Sequence, residues 1–160
     1  MIFIRCHKPL MVFVLSALML FVVPAQAKET QLGYDPDANP NAQLRALTQL
    51  AQAGDKRILL IAGGDWCLWC HFLDDFLNDH PQIYSQLRET FVTGKIYYGD
   101  EGDNSEFFTN LPPAAGYPHF WILDANGTLL HSQNTLPLED GAESYSRHAF
   151  VAFIQRWQQP

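Results

Sequence analysis

The sequence is poor in cysteine, methionine and positive charge, and each shortage narrows what the chain can be. Its 160 residues hold 3 cysteines and 3 methionines, with 10 Lys and Arg against 17 Asp and Glu. The acidic balance, with no basic run anywhere, excludes nucleic acid or an anionic membrane as an expected partner. Internal repeats and low-complexity segments are lacking too. Long apolar runs are scarce: the main one, Leu10 to Val23, is broken only by Ser16 and is shorter than the roughly 18 residues of a spanning helix. Arg5, His7 and Lys8 precede it, and Pro24-Ala25-Gln26-Ala27 follows it with an A-x-A cleavage pattern. This is the three-part layout of a secretory signal peptide over residues 1–27, which disfavours the competing reading of an uncleaved anchor. Cys6 lies ahead of the apolar core, not where a lipid-bearing cysteine would stand.

Cleavage after Ala27 leaves one domain, residues 28–160, long enough for its own core. Export, to the periplasm or beyond, is the expected localisation, with a monomer that keeps no membrane span. The mature chain retains no methionine, since Met1, Met11 and Met19 all leave with the leader, and only Cys67 and Cys70 of the cysteines. A structural bridge between such near neighbours would close a tiny loop and constrain the unfolded chain little. Reactivity explains the pair better. Ile58 to Ala62 reads as an apolar strand, Gly63-Gly64 as a turn, and Cys67-Leu68-Trp69-Cys70 as the opening of a helix. Unpaired N–H groups and the positive end of the helix dipole would favour a thiolate at Cys67. Cys70, one turn on, is close enough to attack a disulfide formed at Cys67.

Along the rest of the chain, Lys28 to Pro40 reads as an extended lead-in. Leu44, Leu47, Leu50 and Ala51 mark a helix over Asn41–Ala53, stopped by Gly54. Leu73, Phe76 and Leu77 continue the helix that starts at the cysteines. His80-Pro81 interrupts it, and Pro81 opens another carrying Ile83 and Leu87. Phe91 to Tyr98 alternates as a strand, Ser105 to Leu111 reads as a short helix, and Tyr117 to Leu123 is a strand starting at a proline. Asn126-Gly127 turns the chain into a returning strand over Thr128–Ser132. Ser144 to Gln158 closes the domain as a helix. This order predicts an α/β domain whose central mixed β-sheet is flanked by helices on both faces.

Trp66-Cys67-x-x-Cys70 after the first strand, then Gly116-Tyr117-Pro118 opening the strand of a hairpin, resembles the thioredoxin-like superfamily; the second motif is worded like that of protein disulfide isomerase domains. The resemblance implies a thioredoxin fold and a thiol–disulfide oxidoreductase. It makes Cys67 the nucleophile, Cys70 the resolving thiol and Pro118 a cis proline, with Trp66, Tyr117 and Pro118 shaping the substrate groove. It implies protein thiols and disulfides as substrates, a redox partner that recycles the dithiol, and neither a cofactor nor a metal. Two departures stand out. The buried acid that these families place six residues before the first cysteine is Ile61 here, leaving Asp65, His71 and Asp74 as candidates for proton transfer. The inter-cysteine pair Leu68-Trp69 adds no charge, so no direction among reductant, oxidant and isomerase follows from it.

Cys67-x-x-Cys70-His71 also satisfies the attachment motif of c-type haem. The strand ahead of it and the β content beyond argue against a small cytochrome, and no methionine remains as an axial ligand. The alternative class is a binding module of the same fold whose Cys-x-x-Cys-His holds haem, metal or a partner without redox turnover. A metal held by Cys67, Cys70 and His71 or His119 ranks below it, and His80, His131 and His148 read as surface or satisfied groups.

Overall fold

The computed structural model describes residues 33–101 and 104–158. The expected leader therefore lies outside the described residues, and among those described no helix is long and apolar enough to cross a membrane.

The helix before the first strand, α1 (Pro40–Gly54), is built from local signals. Asn39 accepts the Ala42 N–H at 2.9 Å and Pro40 takes the first helical position. The residue that turns left-handed at its end is Asp55, at φ 49°, one beyond the expected glycine. Aspartate tolerates that region better than most residues. Strand β1 (Arg57–Gly63) is buried from Ile58 onward. It feeds α2 (Leu68–Asp79), and His80 separates α2 from α3 (Pro81–Thr90), its Nδ1 2.8 Å from the Phe76 carbonyl. Strand β2 (Phe91–Tyr97) follows, then the short α4 (Ser105–Thr109), β3 (His119–Leu123), β4 (Leu129–Asn134), a 3-10 turn over Leu136–Leu138 and α5 (Arg147–Trp157).

The four strands run in the order β2-β1-β3-β4. β1 pairs parallel with β2 and antiparallel with β3, and β3 pairs antiparallel with β4, so the sheet is mixed as expected. β1 alternates between two cores. Ile58, Leu60 and Ala62 meet Leu47 and Ala51 of α1, with Phe107 of α4 and Trp121 of β3. Leu59 and Ile61 meet Leu73 and Phe76 of α2, Leu87 of α3 and Phe150 and Ile154 of α5. Helices thus cover both faces, and a strand apolar on both sides is the natural filling between them.

Several ends shift from the sequence expectation for identifiable reasons. β3 starts at His119 because the Tyr117–Pro118 peptide bond is cis and Pro118 has no N–H for the ladder. α5 starts at Arg147 because Tyr145 bridges back to Glu139 and Ser146 caps the helix by accepting the Ala149 N–H. At the hairpin, Gly127 takes φ 85° and Asp124 accepts the Asn126 and Thr128 N–H groups at 2.8 Å. The lead-in differs most: Tyr34 is buried, packed into the α2 side of the core.

Candidate active site

Cys67 occupies the N-cap of α2, with extended backbone at φ −93° and ψ 101°. Its Sγ accepts the Cys70 N–H at 3.2 Å, and its carbonyl accepts the N–H groups of Cys70 and His71. The first turn of α2 therefore gives this sulfur one backbone donor, the Cys70 N–H. Cys67 and Cys70 are joined as a disulfide with Cα atoms 5.2 Å apart. Both are nearly closed off, at 4 % and 2 % exposure, so access alone does not distinguish them. The cap does.

The inter-cysteine residues face opposite ways. Leu68 is 61 % exposed. Trp69 packs edge-on against Phe72 and Tyr145, and the Tyr145 hydroxyl donates to the Trp69 carbonyl at 3.1 Å. The disulfide turn is thereby tied to the segment that leads into α5.

Trp66 and Tyr117 meet edge to face at 5.5 Å, with Trp66 half exposed. Tyr117 also stacks on Tyr98 at 4.6 Å, and Trp66 Nε1 donates to the Tyr98 carbonyl at 2.8 Å. Burial, then the hydrogen bond to Tyr98, pushes the Tyr117 phenol above its ordinary range. Tyr98 closes this aromatic group and was not singled out in the sequence; its only signal was an aromatic at the end of an alternating strand. The β1–β3 ladder ends with Ala62 opposite His119, the residue after the cis proline. The Pro118 carbonyl accepts the Thr135 hydroxyl at 2.8 Å.

The proton-transfer candidates separate. Asp65 is exposed, and its backbone carbonyl is 2.8 Å from His71 Nε2. Asp74 is part-buried, and Lys95 Nζ lies 2.6 Å from each of its carboxylate oxygens. Lys95 stands beside Ile61 in the β1–β2 register, so the strand position that lacks an acid does have a cation next to it. Lys95 was not singled out in the sequence; the only trace of it there was a charge inside an alternating strand. Among the described residues no three His, Cys, Asp or Glu side chains converge as a metal-binding group.

His119, next to Pro118, is buried, with Nε2 2.8 Å from the Ser132 hydroxyl and no partner for Nδ1 among the described residues. Burial holds its pKa below the ordinary 6.5. The unfolded chain therefore takes up this proton first as pH falls, and stability is lost from about pH 6.5 downward. Melting temperature should decline between pH 7 and pH 5 and do so less steeply in His119→Gln. Equal slopes in the two proteins would remove His119 as the cause.

The thioredoxin-like family model matches residues 39–125. No curated protein matches the chain in sequence. Among solved structures, the chain is similar to a disulphide isomerase from Xylella fastidiosa Temecula1, with TM-score 0.66 and 21 % identity over 79 % of this chain and 96 % of that one. It is also similar to the oxidised C-terminal domain of DsbD from Neisseria meningitidis, with TM-score 0.55 and 13 % identity over 76 % of this chain and 97 % of that one. The sheet order, the disulfide at the head of α2 and the cis proline before β3 agree with that match, and the chain belongs to the thioredoxin-like family.

Proposed function

We propose that the protein is an exported thiol–disulfide oxidoreductase that exchanges its Cys67–Cys70 pair with protein substrates. The observation that carries this reading is the capping position of Cys67, whose sulfur takes an N–H from the first turn of α2. A thiolate there gains a hydrogen bond and the helix dipole, and Cys70 is already at bonding distance.

In the reducing direction the Cys67 thiolate attacks one sulfur of a substrate disulfide, and the other substrate sulfur leaves with the electron pair. Cys70, as thiolate, then attacks Cys67 Sγ. The mixed disulfide breaks, the remaining substrate sulfur departs and is protonated, and the Cys67–Cys70 bond forms. The protein is oxidised and the substrate reduced by two electrons, and a separate redox partner returns the pair to its starting state. Trp66, Tyr117 and Pro118 form the groove for an extended substrate segment, with Tyr98 behind Tyr117. Asp74, paired with Lys95, is the candidate to receive the Cys70 proton, ahead of the exposed Asp65 and of His71.

The relatives described as a disulphide isomerase and an oxidised DsbD domain support a protein disulfide as the substrate class. The charged, apolar and small-residue segments of residues 1–27 support cleavage after Ala27 and release of residues 28–160 into the periplasm. The mature protein acts as a monomer in this reading.

The test is a pair of thiol measurements on the purified mature chain. After reduction, iodoacetamide should modify Cys67 at least about tenfold faster than Cys70 near neutral pH. Cys70→Ser should accumulate mixed disulfides with substrate proteins, and Cys67→Ser should not. Equal alkylation rates, or trapping by Cys67→Ser alone, would reverse the assignment. Failure of the reduced chain to exchange with oxidised glutathione would sink the oxidoreductase reading itself.

A further inference from the structure

We propose that Tyr34 is a positioning residue for the resolving thiol: in the dithiol state its hydroxyl donates a hydrogen bond to Cys70 Sγ and favours the thiolate that attacks Cys67. The inference rests on the exchange chemistry above and adds to it a residue outside the matched family segment of 39–125.

Three observations carry it. Tyr34 is buried, and its hydroxyl oxygen has no hydrogen-bond partner among the described residues. A hydroxyl buried without a partner costs stability, so a donor kept there invites an acceptor that is present in another state. The second observation is Gly63. A Cβ on that residue would overlap Cys70 Sγ and stand 2.8 Å from Tyr34 Oη. Sulfur and hydroxyl therefore border the same small space, which glycine leaves clear. The third is the strand position of Ile61, where no carboxylate serves Cys70.

In the disulfide, Cys70 Sγ is neutral and a weak acceptor. On reduction the two sulfurs separate, Cys70 Sγ becomes free to approach the hydroxyl across that space, and as a thiolate it is a full anion that a neighbouring O–H stabilises. The surroundings keep Tyr34 a donor. Burial first, then the negative charge of Asp74, with Tyr145 and Asp65 adding to it, raises its pKa well above the ordinary tyrosine value. Lys95 Nζ lies over the Tyr34 ring at 4.9 Å and holds the aromatic body in position while it pairs with Asp74. During resolution Tyr34 keeps its own proton. Cys70 releases one, Cys70 Sγ bonds to Cys67 Sγ, and the substrate sulfur leaves with the electron pair and is protonated.

The experiment follows reduced mature chain with 5,5′-dithiobis(2-nitrobenzoate), wild type against Tyr34→Phe. The first equivalent of coloured thiolate reports attack by Cys67, and the second reports resolution by Cys70. Tyr34→Phe should leave the first phase unchanged within about twofold and slow the second roughly five- to tenfold near pH 7. The two proteins should converge at high pH, where Cys70 ionises without help. Melting of the oxidised variant should be unchanged or raised, since the change removes a hydroxyl that has no partner in that state. A second phase equal to wild type at every pH overturns the inference and leaves the exchange reading intact. A wild type that shows no second phase overturns both. If Tyr34→Phe destabilises the fold, Tyr34→Leu serves beside it, because both lack a side-chain donor; a second phase slowed in neither refutes the role.

Discussion

Phe150→Ala is expected to lower the unfolding free energy by about 3–5 kcal/mol, a large part of what a domain of this size has. Phe150 is fully buried and lies where three elements meet. Its ring is 5.1 Å from Phe76 of α2, 6.0 Å from Tyr145 and Phe153, and 6.5 Å from Phe120 of β3. Neighbours that are themselves large and held by other contacts cannot collapse into the space, so the cavity persists. The effect should reach the disulfide turn, because Tyr145 touches both Phe150 and Trp69. Urea unfolding of the oxidised protein gives the comparison, with Leu136→Ala as control. Leu136 is 65 % exposed, and its loss should change stability by no more than about 0.5 kcal/mol. A Phe150→Ala deficit below about 1 kcal/mol would mean that α5 repacks freely.

Ile61→Asp should act on stability and on chemistry in opposite directions. Ile61 is 4 % exposed and its burial contributes about 1.5–3 kcal/mol. The substitution gives that up and adds the desolvation of a carboxylate. Lys95, adjacent in the register, offsets part of the second term, although it must then divide its charge between the new carboxylate and Asp74. A net loss of about 3 kcal/mol follows, or a melting point lower by about 10 °C. The same carboxylate restores a proton acceptor in the strand beside the cysteines. Resolution of a preformed Cys67-linked disulfide should become roughly tenfold faster near neutral pH. If wild type already resolves as fast as the variant, another base is in place. Asp74, Asp65 and His71 are then the residues to remove one at a time.

What could be read from the sequence was what the chain says locally. The glycine turn, the cysteine at the start of a helical pattern and the proline ahead of an apolar run each depend on a few neighbouring residues. Those predicted the cap at Cys67 and the sheet with helices on both faces, whereas the cis bond before Pro118 was implied by the resemblance to the thioredoxin-like superfamily. Partners brought together by pairing of distant strands were not legible. Asp74 was among the proton-transfer candidates, but nothing near it in sequence pointed to Lys95, which β2 delivers from 21 positions on. Tyr34 sits in a stretch rich in Gly, Pro and Asp whose composition predicts exposure, yet it packs against the cysteines. A lone aromatic in such a stretch was the available signal, and periodicity is blind to a single residue. Tyr98 was expected as the last residue of the strand, but β2 ends at Tyr97, and the stacking of Tyr98 on Tyr117 depends on that end relative to the turn before β3.

The disulfide and the sheet also differ in how much of the chain must be present before each can exist. Cys67 and Cys70 are joined across one helical turn, so their bond can form in a chain that has built nothing else. The sheet is the reverse: Arg57 waits for Phe91, and Ile58 waits for Leu123. Closing such long loops is what makes assembly of a sheet slow. Oxidation and folding are therefore separable events, and a nascent chain can carry its bond while β1, the most apolar strand, still lacks both neighbours. During that interval the bond holds only a few residues together and restrains the rest of the polymer very little.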